Sequence, residues 1–320
     1  MKNNNVYREC RGALFLAELE KATGYNCSLV NIYDEELLSL FGTDECLKKT
    51  NKSDYKINPL LGIDELGTDF MSDLVEKIKP KSFDDLIKVL GLAHSTYGWN
   101  ENGEKLFDNG APLNEIFANR EDISEMLIKH YNLETETAIQ IMQDVRKGKG
   151  LTKKQTEILV KKSVPQYIID SLNKIKYLPS KSHSLIRTVF ALCEAYYKIH
   201  YPLEFYSVYL SYRAKQFELK TMQNGIDCVL ERIKEIKSKK DSGDCQITQK
   251  EQKLYNTLMV VAEMEQRGYK FLNIDLYKSD AELFIIDNDR KGLIPPFVAI
   301  DGLGTKYATL IAEEVKKLKK

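Results

Sequence analysis

The chain has 320 residues, with 47 Lys+Arg against 47 Asp+Glu and a formal net charge of zero. That length supports two or so domains with a sizeable core. A 43% hydrophobic fraction with 10% aromatics excludes a wholly disordered chain, and 29% charged residues excludes an integral membrane protein.

In chain order, no stretch of about 18 uncharged apolar residues is present to span a bilayer, and the opening MKNNNVYREC lacks the apolar core of a secretion signal. The expected location is cytoplasmic, with no membrane partner. The first strong helical signal is 69–79, where Phe70, Met71, Leu74, Val75 and Ile78 recur at steps of three and four. Pro80 stops it, and Ser82 with Asp84 and Asp85 caps the next helix, 83–90. Further helices are predicted over 121–131, 135–146, 152–162 and 165–174. A long apolar one follows over 184–200, carrying Leu185, Ile186, Val189, Phe190 and Leu192, and Tyr201-Pro202 ends it. An amphipathic helix is predicted over 221–238, an exposed loop over 237–250, and another helix over 249–267. The one strand signal is AELFIID and KGLIPPFVAI flanking Asn288-Asp289, a small hairpin. The fold class is therefore mainly α, with a minor β element and a short helical end.

The zero charge hides a polarity. Residues 146–320 hold 32 Lys+Arg against 21 Asp+Glu, and residues 1–145 hold 15 against 26. A basic half is the electrostatic footprint of something that meets phosphates, although two oppositely charged surfaces that neutralise each other give the same sum. The cysteines at 10, 27, 46, 193, 228 and 245 show no C-x-x-C spacing, and none of His94, His130, His183 and His200 is at i, i+4 from another. Neither a zinc site nor a disulfide framework is expected.

Within the basic half, VRKGKGLTKKQTEILVKK (145–162) follows a helix with a glycine turn and opens the next helix, an arrangement suited to a phosphate chain. It contains no Walker sequence. A helix C-terminus with its usual cations and glycine explains Arg146 to Gly148 well, and Lys149, Lys153 and Lys154 less well. In KIKYLPSKSHSLIRT (174–188), Lys181, Ser184 and Arg187 share one helical face. Cations at a helix N-terminus oppose its dipole unless an anion sits there. A solvated face is the alternative. IDGLGTK (300–306) opens a last helix with a Gly-x-Gly turn, the pattern of a helix-hairpin-helix that holds a DNA phosphate. Asp287-Asn288-Asp289 has the look of a metal-binding carboxylate pair, but turn chemistry explains it more simply.

Together these stretches resemble the C-terminal fingers and helix-hairpin-helix part of a PolC-type bacterial DNA polymerase III α chain. The resemblance runs through GIDELGTDF (62–70), GLAHSTYGW (91–99), NREDI (119–123), IMQDVRKGKGL (141–151), VPQYIIDSLNKIKY (164–177) and KSH (181–183). It continues in YYKIHYPLEFYSVYL (196–210), RGYKFLNIDLYKS (267–279) and GLIPPFVAIDGLGT (292–305), while 1–61 resembles the family loosely. The resemblance implies a fingers-like helical domain over 62–270 and a hairpin with a partial helix-hairpin-helix over 271–320. It also implies that Arg146, Lys149, Lys181 and His183 contact the triphosphate of an incoming dNTP. Lys147, Lys153, Lys154, Gly302, Gly304 and Lys306 would meet the DNA backbone.

The family's catalytic aspartates belong to its palm, upstream of the matched region. The expectation is a chain with no catalytic residues or metal site of its own. Mg²⁺ is then expected only with a palm-bearing polymerase chain, one of the replisome proteins that would be its partners. The family follows its Lys-x-His with three alanines and a tyrosine, whereas this chain has Ser184, Leu185, Ile186 and Arg187. That difference supports the alternative, a non-catalytic DNA-binding or replisome-interacting protein derived from a polymerase.

Overall fold

Residues 4–50, 55–94, 99–242 and 247–318 are described by the structure, a computed structural model. The side chain of Cys10, the residue Cys245, the Ser95–Gly98 part of the GLAHSTYGW stretch and 243–246 of the expected loop lie outside the described residues. In chain order the helices are α1 (Asn4–Thr23), α2 (Glu35–Ser39), α3 (Asp69–Ile78), α4 (Phe83–Ala93), α5 (Glu104–Asp108), α6 (Arg120–Lys129), α7 (Thr135–Val145) and α8 (Lys153–Lys161). They continue as α9 (Gln166–Lys174), α10 (Lys181–His200), α11 (Pro202–Tyr212), α12 (Leu219–Gln223), α13 (Ile226–Ser242), α14 (Gln249–Gln266) and α15 (Thr305–Leu318). The fold is mainly helical, with one small sheet.

Local chemistry sets most boundaries. Ser82 and Asp85 form a reciprocal capping box at α4, Thr152 and Gln155 one at α8, and Thr248 and Glu251 one at α14. Pro202 ends α10 as expected and then occupies the first turn of α11, where its missing N–H costs nothing. The sequence gives no stripe for α11 because Leu203, Phe205, Tyr206, Val208 and Leu210 bury it nearly all round.

Three expectations are corrected. The helix expected over 221–238 is two, α12 and α13, separated at Gly225, whose φ is +89°. The loop expected from 237 begins later, because α13 runs on to Ser242. Val229, Leu230, Ile233 and Ile236 bury its inner face, and the Lys239 ammonium lies 3.0 Å from Glu251. Third, α10 begins at Lys181, and its first turns bury Ser184 and Thr188 while Leu185 and Ile186 face outward, 40% and 52% exposed.

The hairpin forms with a third strand added. β2 (Ile285–Ile286) pairs antiparallel with β3 (Gly292–Ile294), and β1 (Lys270–Phe271) lies parallel on the other side of β3. Asp287, Asn288 and Asp289 make the β2–β3 turn, closed by the Arg290 N–H donating to Asp287 O at 2.8 Å. The turn reading of these residues therefore holds.

Contacts divide the chain into two compact units that interleave in sequence. The first is Met1–Asn31, Thr43–Thr68 and Leu192–Lys320; the second is Ile32–Gly42 and Asp69–Ala191. In the second unit, α6 to α9 close an apolar core of Ile123, Leu127, Ile141, Val145, Leu159, Ile168 and Leu172. Each such side chain contributes roughly 1.5–3 kcal/mol by leaving water. The first unit has apolar interior positions too, including Phe205, Leu258, Val261 and Leu293, but it also buries Glu194, Lys198, Glu263 and Arg267.

Candidate nucleotide and nucleic-acid interface

In the second unit the VRKGKG turn is built on the end of α7. Arg146 caps that helix, with its N–H donating to Met142 O and its Nε donating to Gln143 Oε1 at 2.8 Å. The chain reverses through Gly148, φ +72°, and the Lys149 N–H returns to Asp144 O at 3.2 Å. A Cβ on Gly148 would stand 2.8 Å from Lys176 O. The glycine therefore serves close packing against the chain's own backbone at 176. Asp144 takes hydrogen bonds from Gln140 and Gln155, which hold its carboxyl below the usual aspartate range. Lys149 lies 3.8 Å from it and stays 64% exposed.

Four lysines stand around this turn. Lys147, Lys153 and Lys154 are exposed, like Lys149, and make no ion pair with a described residue. Lys153 and Lys154 occupy the first two positions of α8, where the helix dipole opposes positive charge. That cost favours an anion there, because neither lysine pairs with a carboxylate among the described residues.

The head of α10 is organised differently. Its Lys181 N–H donates to Glu121 Oε2 at 2.7 Å, and Arg120 Nε donates to the other oxygen at 2.7 Å. Burial alone would raise the Glu121 carboxyl, but these hydrogen bonds win and hold it below the usual range. The Lys181 ammonium donates to Glu125 at 3.3 Å. His183 stacks edge-on against His94 with ring centroids 4.8 Å apart, and Ser184 Oγ donates to Asn119 Oδ1 at 2.6 Å. So the anion that the sequence requires at this N-terminus is partly supplied from α6. The structure brings Arg146, Lys147, Lys149, Lys153 and Lys154 to one turn and Lys181 and His183 to one helix head, and gives these two groups different neighbours.

Gly302, Gly304 and Lys306 belong to the first unit. All three are exposed, a Cβ at either glycine would meet nothing within 4 Å, and Gly302 has φ +80°. The turn opens α15, with the Ala308 N–H donating to Gly304 O at 3.1 Å. A three-residue 3₁₀ turn, Phe297–Ala299, precedes it. Among the described residues no group of three or more His, Cys, Asp and Glu is placed to hold a metal ion. The thiols of Cys27, Cys46, Cys193 and Cys228 form no disulfide among the described residues.

Sequence reasoning passed over a buried ionic network in the first unit. Lys198, fully buried, donates to Pro59 O and Leu61 O at 2.6 Å each and to Glu263 Oε2 at 2.8 Å. Burial pushes its ammonium down to about 8, against the pull of Glu263. Tyr206 donates to Glu263 Oε1 at 2.6 Å, and Arg267 donates to Lys198 O at 2.7 Å. Next to it, Arg213 grips Glu194 through both nitrogens at 2.6 and 2.8 Å, and Glu194 accepts the Asp64 N–H at 2.8 Å. The signal available was a charged residue set inside an apolar helical run, as in ALCEAYYKIHY. These contacts fix the main chain of residues 59–64, which includes the start of the GIDELG stretch at 62–64.

Residues 11–166 match the bacterial DNA polymerase III alpha subunit finger domain, a match that starts inside the loosely resembling amino-terminal stretch. Beyond that segment, most of the chain is similar to PolC-type DNA polymerase III. It is 39% identical over 295 residues to DNA polymerase III PolC-type of Listeria welshimeri, covering 92% of this chain and 20% of the relative. For the Caldanaerobacter subterraneus enzyme the figures are 37% over 297 residues, 92% and 21%. For that of Streptococcus mutans they are 38% over 305 residues, 93% and 20%. The chain spans about a fifth of the length of these relatives.

Proposed function

We propose that the chain works as the fingers-type portion of a PolC-like DNA polymerase III in DNA replication, binding the triphosphate of an incoming dNTP and the DNA backbone. The observations that carry this are the exposed lysines at the α7–α8 turn and, separately, the partly exposed Lys181 at the head of α10. Arg146, Lys149, Lys181 and His183 would take the triphosphate. Lys147, Lys153 and Lys154, with the open Gly302–Gly304 turn and Lys306, would take DNA phosphates through charge and main-chain N–H groups. In this reading 62–270 is the fingers-like domain and 271–320 the hairpin with a partial helix-hairpin-helix. Among the described residues no cluster of carboxylates is placed to hold Mg²⁺. The carboxylates for that chemistry are expected from a palm-bearing polymerase segment. Calorimetry with dATP and with primed duplex DNA tests the reading. Binding is expected for both, with DNA affinity falling steeply as salt rises. A flat salt response, or heat unchanged when Lys149 and Lys181 are both replaced by Ala, overturns it.

A second reading, a non-catalytic DNA-binding or replisome-interacting protein, is favoured by the outward Leu185 and Ile186, which stand where the family has small residues. It predicts DNA binding without dNTP binding. The same two titrations separate the readings.

A further inference from the structure

The head of α10 carries more than the two residues assigned to the nucleotide. Lys181 borders a cleft of about 400 Å³ within the second unit, lined also by Lys88, Asp122, Glu125, Lys129 and His130. The inner pair is committed to structure. Lys88 donates to Asn114 O, Ile116 O and Asp122 Oδ2, and buried Asp122 also accepts the N–H groups of Ala118 and Asn119. The outer set is held far more loosely. Glu125 faces Lys181 at 3.3 and 3.5 Å and Lys129 at 3.5 Å, and all three side chains are between 42% and 68% exposed.

Two carboxylates on α6 thus touch Lys181 and differ in kind. Glu121 is fixed by the Arg120 guanidinium and by the main-chain N–H of Lys181, so moving it would uncap α10. Among the described residues, the Glu125 carboxylate meets flexible ammonium groups at long distances. An exposed pair of that geometry contributes about 0–1 kcal/mol, whereas a phosphate chain offers several charge-assisted hydrogen bonds at once.

We propose that Glu125 is the resident counter-anion of this site: it occupies Lys181 and Lys129 and yields both to the phosphates of an incoming polyphosphate ligand. This rests on the nucleotide reading of Lys181 and adds Lys129 as a further phosphate-binding residue. Glu125 then sets how tightly the site holds a phosphate chain, because every ligand must displace it.

Calorimetry of this chain with tripolyphosphate and with dATP tests the proposal. Replacing Glu125→Gln keeps shape and removes the competing charge; affinity for both probes should tighten about 2- to 5-fold, the range that fits so exposed a pair. In that background Lys129→Ala should reverse much of the gain, and Lys181→Ala should weaken binding in either background. Glu136→Gln, an exposed carboxylate on α7, should change affinity little. Equal tightening by Glu136→Gln reduces the effect to net charge and overturns the proposal. So does unchanged affinity in Glu125→Gln while Lys181→Ala still weakens binding, an outcome that leaves the nucleotide reading standing. No binding of either probe by any of these proteins removes the nucleotide reading and this proposal with it.

Discussion

The two compact units handle charge in opposite ways. In the first, Lys198, Glu263, Arg267, Glu194 and Arg213 are buried or nearly so, and their donors and acceptors are taken up by one another, by Tyr206 and by main-chain groups of residues 59–64 and 198–199. In the second, Lys147, Lys149, Lys153, Lys154 and Lys181 stand at helix ends in water, with long contacts or none to a carboxylate. The difference separates charge that holds a chain in place from charge left available to a ligand. Burial makes the first kind costly to disturb, and exposure makes the second nearly free to change.

That contrast breaks if the buried network can be cut cheaply. Lys198→Ala leaves Glu263 in the interior with only Tyr206 as donor, and should cost about 3–5 kcal/mol in urea denaturation. The double change Lys198→Met with Glu263→Gln should cost clearly less than the sum of the single ones. A loss under about 1 kcal/mol for Lys198→Ala would contradict the role given to the pair.

The next largest effect belongs to the second unit. Gly148→Ala places a Cβ 2.8 Å from Lys176 O at a φ of +72° and should destabilise by about 1–3 kcal/mol. An unchanged denaturation midpoint would mean that the turn does not pack on residue 176 as described.

A pH experiment sharpens the first unit's side. Burial pushes the Glu265 carboxyl up to about 7, partly offset by a hydrogen bond from the Phe271 backbone. Between the ordinary glutamate value and 7 the folded chain keeps a proton that the unfolded chain releases. Stability should therefore fall as pH rises through that window, by about 1–2 kcal/mol after allowing for solvent screening, and level off above it. Glu265→Gln should flatten this dependence and raise stability at pH above 7. A slope that survives the substitution assigns it to another group.

The smallest effect is the most diagnostic for the exposed charges. Lys153→Ala with Lys154→Ala should leave stability within about 0.5 kcal/mol, or raise it slightly by relieving the α8 dipole, while DNA affinity drops and its salt slope shallows. A large loss of stability would make these lysines structural.

Much of this was legible beforehand, for definite reasons. α3, α4 and α6 to α9 carry an apolar stripe beside polar positions, and such a stripe names both the helix and its buried face. α11 shows no stripe because it is buried on most sides. α13 ran past its expected end because its last turns are polar on every side yet continue a packed helix. The cations of the VRKGKG turn were legible by composition, but the purpose of Gly148 was not. A glycine that approaches a ligand and one that approaches Lys176 look the same in a sequence.

Residue order by itself determined the charge polarity of the two halves, the cations at helix ends, the hairpin turn at Asn288-Asp289 and the likeness to PolC-type fingers. Each depends on neighbours a few residues apart, where spacing and residue type carry the physics. Tertiary structure alone decided that Ser184 turns inward and Leu185 outward, and that Lys198 rather than a loop contact secures residues 59–61. It also decided that Lys181 meets its carboxylates on a helix 56 and 60 residues away. Those outcomes turn on which distant groups share a low-dielectric space, and burial and pairing energies there exist only once the chain has closed on itself.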